Sequence, residues 1–160
     1  MIKDKYELMT DFYQFAMANG FVDNGMDSTE VWFDMFFRPS EKIGGFCVMA
    51  GLKELCEYLD NLKFDDGDIE FLKSKGISDS LAGYLKNFKF ECDVWAVPEG
   101  TPIFPNEPIV TVRGPLIQAQ FLETMVLLTV NHQSLIATKS NRIVRAAGDI
   151  PVMEFGSRRA

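Results

Sequence analysis

Cysteine, positive charge and long apolar runs are all scarce in this chain, and each shortage excludes a class of protein. The three cysteines, Cys47, Cys56 and Cys92, are odd in number and have no CxxC spacing, so they form neither a zinc pattern nor a disulfide framework. They are expected to be buried free thiols in a reducing cytoplasm. Sixteen Lys and Arg stand against 23 Asp and Glu, a net charge of −7. That balance excludes a general nucleic-acid or membrane-surface binder, both of which need a basic face. It leaves room for a small phosphate pocket built from a few local arginines.

The most apolar helical stretch, "FLETMVLLTV", is short and carries Glu123, so no membrane span is expected. The start, "MIKDKYELMT", is too polar for a signal peptide, and a soluble cytoplasmic protein is expected. The acidic "DDGD" at residues 65–68 lacks calcium-loop spacing and suits a helix cap at Asp66 or Asp68. The glycines of "EKIGGFCVMAG" do not follow a P-loop plan. No internal repeat or low-complexity linker occurs.

What is present is apolar and aromatic. Hydrophobic residues make up 47% of the 160 positions and include 14 Phe, enough to demand a substantial core and to exclude disorder. The length suits one domain, or one small domain and the start of another.

Thr10 is placed to cap a helix through "DFYQFAMANGFVDNG", with Asp11 in its first turn. Phe12, Phe15 and Ala16 share one side of that helix, while Tyr13, Met17 and Phe21 share another, so it has two bodies to pack against. The second body would be another subunit. "VWFDMFFR" alternates as a strand until Pro39. "LKELCEYLDNL" sets Leu52, Leu55, Cys56 and Leu59 on one helical face. Shorter helices follow in "DIEFLKSKG", stopped by Gly76, and "SDSLAGYLKNF".

Residues 90–113 hold three short β runs separated by "PEG" and "FPNEP", which suits a compact, curved antiparallel unit. From Pro115 to Ala147 the pattern is helical, and its length predicts a break near "VNHQS". In "PVMEFG", Val152, Met153 and Phe155 read as a strand, with Gly156 opening a turn at its carboxyl end. In α/β proteins that end is where ligands are held.

Four segments in order resemble the nicotinate phosphoribosyltransferase family: "LMTDFYQFAMANGF", "FDMFFRP", "VPEGTPIFPNEPIVTVRGPLIQAQFLETMVLLTVNHQSLIATKSNRIVRAAG" and "PVMEFGSRRA". The resemblance runs from near residue 8 to the end. It implies an α+β chain: residues 1–114 as an amino-terminal α/β-hammerhead domain, and residues 115–160 as the first helices and first strand of a type II phosphoribosyltransferase α/β barrel, truncated. It implies formation of nicotinate mononucleotide and pyrophosphate from nicotinate and phosphoribosyl pyrophosphate, a salvage step of NAD biosynthesis. Mg²⁺ and ATP as co-substrate are implied with it, as is a homodimer. The chain alone is expected to be inactive, with the catalytic residues beyond position 160.

Such a site must stack an aromatic ring, pair a carboxylate with a cation and neutralise a polyanionic donor. The resemblance places Tyr13 of "TDFYQ" against the nicotinate ring, reached from the neighbouring subunit; a core tyrosine on an amphipathic helix is the alternative. Arg38, closing "FDMFFR", matches an arginine that contacts donor phosphate in the related nicotinamide enzymes. A solvated strand-end cation fits it equally, and both readings stand.

Phe155 of "EFGSR" matches the second aromatic slab of a ring sandwich, with barrel core as its other role. Arg158, with Arg159 beside it, follows the glycine and is placed to reach phosphate or pyrophosphate bidentately. His132, the only histidine, does not lie in the family's Gly-Thr-x-x-His-like phosphohistidine segment, so a structural hydrogen bond is expected of it. Lys139 and Arg142, three apart, are expected to be a solvated or intersubunit ion-pairing patch.

Two other functions stay open. One is another type II phosphoribosyltransferase, using nicotinamide or quinolinate. The other is a non-catalytic binding module of the biotinyl or lipoyl carrier kind, against which "VPEGTPIFPNEP" counts by offering no lysine at either turn.

Overall fold

The computed structural model describes residues 6–39, 41 and 43–156. In chain order the elements are helix α1 (Phe12–Asp23), strands β1 (Glu30–Met35) and β2 (Cys47–Val48), and helices α2 (Leu52–Asn61), α3 (Asp66–Ser74) and α4 (Asp79–Lys86). Strands β3 (Asp93–Ala96), β4 (Pro102–Ile103) and β5 (Val110–Pro115) follow, and then helix α5 (Leu116–Ala147). The fold is mixed α+β.

The β runs divide between two antiparallel sheets, where the sequence suggested one unit. β5 is the centre of a three-stranded sheet, order β1-β5-β3, while β4 leaves to pair with β2. Asn106, at φ 63°, turns the chain between the sheets, and its N–H donates to Phe37 O at 2.9 Å. β1 stops at Met35, short of the predicted Arg38, because its partner stops there: Met35 pairs with Val110, the first residue of β5. Pro108, just before, has no N–H to extend the ladder.

Two apolar cores flank α5. One gathers Met35, Met49, Leu55, Val110 and Val112 against Leu122, Val126 and Val130. The other gathers Phe15, Phe64, Leu72, Leu81 and Leu85 against Ile117 and Phe121. Positions 117 and 121 share one face of α5, and 122, 126 and 130 share another. The first half of this helix is therefore buried on both sides.

Beyond Val130 the buried stripe narrows to Ser134 and Thr138, and no break occurs at "VNHQS". The two hydroxyls turn to the chain at β2 and just beyond it. Thr138 Oγ1 accepts from Val48 N at 2.8 Å and Ser134 Oγ from Ala50 N at 3.1 Å. They serve the free side of β2 as a neighbouring strand would.

Several local expectations shift by a position or a face. The cap of α1 is Asp11, not Thr10; the Thr10 hydroxyl donates instead to Gln14 Oε1. The buried stripe of α1 is Gln14, Phe15 and Ala18, while Phe12, Tyr13, Ala16 and Met17 are exposed. On α2, Leu55 and Tyr58 are buried and Cys56 is exposed, so the three cysteines are not uniformly buried. The cap within "DDGD" is Asp65, not Asp66 or Asp68, and it is a reciprocal one. Asp65 Oδ1 accepts from Asp68 N at 2.9 Å, and Asp68 Oδ2 accepts from Asp65 N at 2.8 Å. The helices predicted in "DIEFLKSKG" and "SDSLAGYLKNF" form as α3 and α4, with Ser78 Oγ capping the latter.

The segment 151–156 is not a strand, and Met153 and Phe155 are 83% and 90% exposed. No described strand lies beside it to complete a ladder. An apolar alternation without a hydrogen-bonding neighbour leaves its amides to water. Among the described residues, no helix is long and apolar enough to cross a membrane.

Candidate functional site

A groove of about 740 Å³ opens between the inner face of β1 and β5, the segment leaving β1, and α5. Its walls are mainly apolar. Polar groups enter from Arg38 after β1, and from Gln120, Glu123, Asn131 and Ser134 along α5. Arg38 is exposed at this groove, three residues past the strand it was expected to close. Its guanidinium therefore rides on a loop held by the Asn106–Phe37 bond.

Glu123 joins the groove to α1. Tyr13 Oη donates to Glu123 Oε2 at 3.1 Å, and Gln14 Nε2 donates to the same oxygen at 3.1 Å. Gln14 is wholly buried, and its Nε2 also lies 3.4 Å from Thr124 Oγ1. Tyr13 itself is 49% exposed, as are its helix neighbours Phe12 and Met17 at 49% and 45%. It is not a core tyrosine.

Arg38 lines the groove, while Tyr13 does not line it and reaches it only through its bond to Glu123. Phe155 does not line it, and Arg158 and Arg159 lie outside the described residues. His132 is exposed on α5 and its side chain makes no hydrogen bond among the described residues, so the structural role expected of it is not seen. Lys139 is exposed, but Arg142 is not a solvated patch residue. Its Nη2 donates to Phe46 O at 3.1 Å, and its guanidinium lies 5.6 Å from the Phe46 ring, pinning the loop before β2.

Sequence reasoning missed Gln14 and Glu123. Glu123 counted there only against a membrane span. The usable signal was a charge inside an apolar helix opposite a Tyr-Gln pair inside another.

No group of three or more His, Cys, Asp or Glu among the described residues is arranged to hold a metal ion.

The structure matches the crystal structure of human nicotinic acid phosphoribosyltransferase with a TM-score of 0.85 and 36% identity, over 96% of this chain and 32% of that one. It shares the fold of nicotinate-nucleotide pyrophosphorylase from Pyrococcus furiosus at a TM-score of 0.69 and 23% identity, covering 100% of this chain and 34% of that one.

Residues 8–131 match the nicotinate phosphoribosyltransferase (NAPRTase) N-terminal domain, and the chain belongs to that family. Nicotinate phosphoribosyltransferase of Mycobacterium tuberculosis is 42% identical over 154 residues, 96% of this chain and 33% of the relative. The Bacillus subtilis enzyme is 40% identical over 158 residues, 98% of this chain and 32% of the relative. The chain spans about a third of the length of the curated relatives it matches.

Proposed function

We propose that these residues serve as the front of a nicotinate phosphoribosyltransferase that joins nicotinate to phosphoribosyl pyrophosphate, releasing pyrophosphate, with ATP hydrolysed in the process. The observation that carries this reading is the match of residues 8–131 to this family, and it is supported by an exposed Arg38 on a groove that also holds Glu123, the hydrogen-bond partner of Tyr13. A half-exposed tyrosine ring offers a face for a flat heteroaromatic acid. An exposed guanidinium on a loop can pair bidentately with a phosphate of the donor. Residues 1–114 would form the amino-terminal unit and residues 115–160 the opening of the barrel domain.

Phe155 is assigned as the opposite slab for the ring and Arg158 as a second cation for the donor. Exposure of Phe155 at 90% suits a side chain whose partner comes from elsewhere. Tyr13 would act in trans within a homodimer, since Phe12, Tyr13 and Met17 form an apolar face that this chain does not cover. Mg²⁺ and ATP would be held by residues other than those described, in a cytoplasmic enzyme.

The test is mononucleotide formation by the complete protein, with nicotinate, nicotinamide or quinolinate offered singly beside the phosphoribosyl donor. Selective use of nicotinate supports the reading, and preference for either competitor replaces it. The 160-residue chain alone is expected to be inactive. Turnover of about 1 per second or more by it would place the catalytic residues within this chain.

A further inference from the structure

We propose that Glu123 is a positioning residue for Tyr13: its carboxylate fixes the orientation of the ring against which nicotinate stacks. The inference rests on the reading of Tyr13 as a ring-binding residue and adds what holds it. Packing alone does not fix a side chain that is 49% exposed at the amino-terminal end of a helix. The bond from Tyr13 Oη to Glu123 Oε2, 3.1 Å, does.

Glu123 is itself exposed and sits on a long flexible stem, so something must hold it in turn. Gln14 does so, donating from Nε2 to the same carboxylate oxygen at 3.1 Å. Gln14 is wholly buried, and its remaining capacity is used by the Thr10 hydroxyl on Oε1 and Thr124 Oγ1 on Nε2. Order therefore passes outward, from a locked amide to a carboxylate to a phenol. The adjacent pairs Tyr13-Gln14 on α1 and Glu123-Thr124 on α5 close it as a clasp between the helices.

The clasp has a chemical consequence. An ionised carboxylate only accepts, so it receives the hydrogen bond of the phenol O–H and holds the hydroxyl toward α5. What Tyr13 presents to a ligand is then a flat, fixed π surface. A ring already held in its binding pose loses less freedom when the ligand arrives, and that gain appears in ligand binding more than in the bond-making step.

The experiment uses the complete protein with four variants: Tyr13→Ala, Tyr13→Phe, Glu123→Ala and Glu123→Gln. Tyr13→Phe and Glu123→Ala should each raise the KM for nicotinate roughly 3- to 10-fold, the scale of one hydrogen bond, with kcat and the donor KM little changed. On the nicotinate KM, the Tyr13→Phe/Glu123→Ala pair should be no worse than Glu123→Ala alone, because the Tyr13–Glu123 bond is already lost in either single change. Glu123→Gln, which keeps an acceptor, should recover most of the loss.

Additive effects in the pair would overturn the proposal. So would a Glu123→Ala effect spread equally over kcat, both KM values and Tm, which marks a helix clasp only. Tyr13→Ala separates the two levels. If it leaves the nicotinate KM unchanged, the ring-binding reading of Tyr13 fails and the positioning role goes with it. If it raises that KM while Glu123→Ala does not, the positioning role alone is wrong.

Discussion

Gly51 stands against the backbone of Thr129 so closely that a Cβ at position 51 would lie 2.7 Å from the Thr129 carbonyl oxygen. Its φ of 105° is one that residues with side chains rarely adopt. This contact seats the start of α2 against the middle of α5. Gly51→Ala is expected to destabilise the fold by at least about 1–3 kcal/mol from backbone strain, with the clash in addition. Urea unfolding measures it, and an unchanged midpoint would contradict the tight approach.

Thr138 substitutes for a missing strand. Its hydroxyl accepts from Val48 N at 2.8 Å and donates to Ser134 O at 2.6 Å. Thr138→Val keeps the shape but strands the Val48 N–H, and should cost about 1–3 kcal/mol. Thr138→Ser should retain most of the stability in the same denaturation series.

This pair also shows what the sequence could and could not tell. Helices with their own stop and cap signals were legible, as with Gly76 after α3 and Ser78 before α4. Tertiary substitution was not. The Ser134 and Thr138 hydroxyls of α5 satisfy backbone N–H groups 84 to 90 residues away, which no local pattern records. The β runs were seen, but their division between two sheets depends on β1 and β2, far back in the chain.

The strand expected in "PVMEFG" failed for a related reason. Alternation marks which residues suit a strand, but not whether a neighbour is there to bond it. Tyr13 and Arg38 were proposed for a site through family words alone. The carboxylate joining Tyr13 to the groove is visible only in three dimensions.

Glu99 carries a pH-dependent part of the stability. Its Oε1 accepts from Gly51 N and Leu52 N, each at 2.7 Å, and these bonds from the first turn of α2 hold its carboxyl below the usual glutamate range. A group with a depressed folded pKa contributes stability above its unfolded value, about 4.3, and loses it as pH falls through the folded value. Stability should therefore drop with acidification below about pH 4.3, and Glu99→Gln should flatten that part of the curve. Paired unfolding titrations of the two proteins check it; identical slopes would remove Glu99 from the account.

The cysteines should differ sharply in reactivity. Burial, helped by the charges of Asp93 and Glu91, pushes the Cys92 thiol up to about 12. Burial also raises Cys47, partly offset by a hydrogen bond with Thr138 and the Arg142 charge. Cys56 is exposed. A thiol reagent near pH 8 should therefore label Cys56 first in the native protein and all three in urea, as peptide mass spectrometry would show. Early labelling of Cys92 would contradict the packing of Cys92 against Gly114.

The central claim is that Tyr13 of one subunit completes a site whose other wall carries Phe155 and Arg158 of a second copy, and mixing two damaged proteins tests it most directly. In the complete protein, Tyr13→Ala should mainly weaken nicotinate binding, since one aromatic contact is worth roughly 0.5–1.5 kcal/mol beyond its area. Arg158→Ala should mainly weaken use of the phosphoribosyl donor, by roughly 1.5–3 kcal/mol for a charge-assisted contact. Dissociated and reassembled together at equal amounts, the two should regain up to about a quarter of the unmutated activity, because half the dimers are mixed and each mixed dimer holds one intact site. No recovery, with mixed dimers shown to form, would place both residues in one subunit's site and contradict the account.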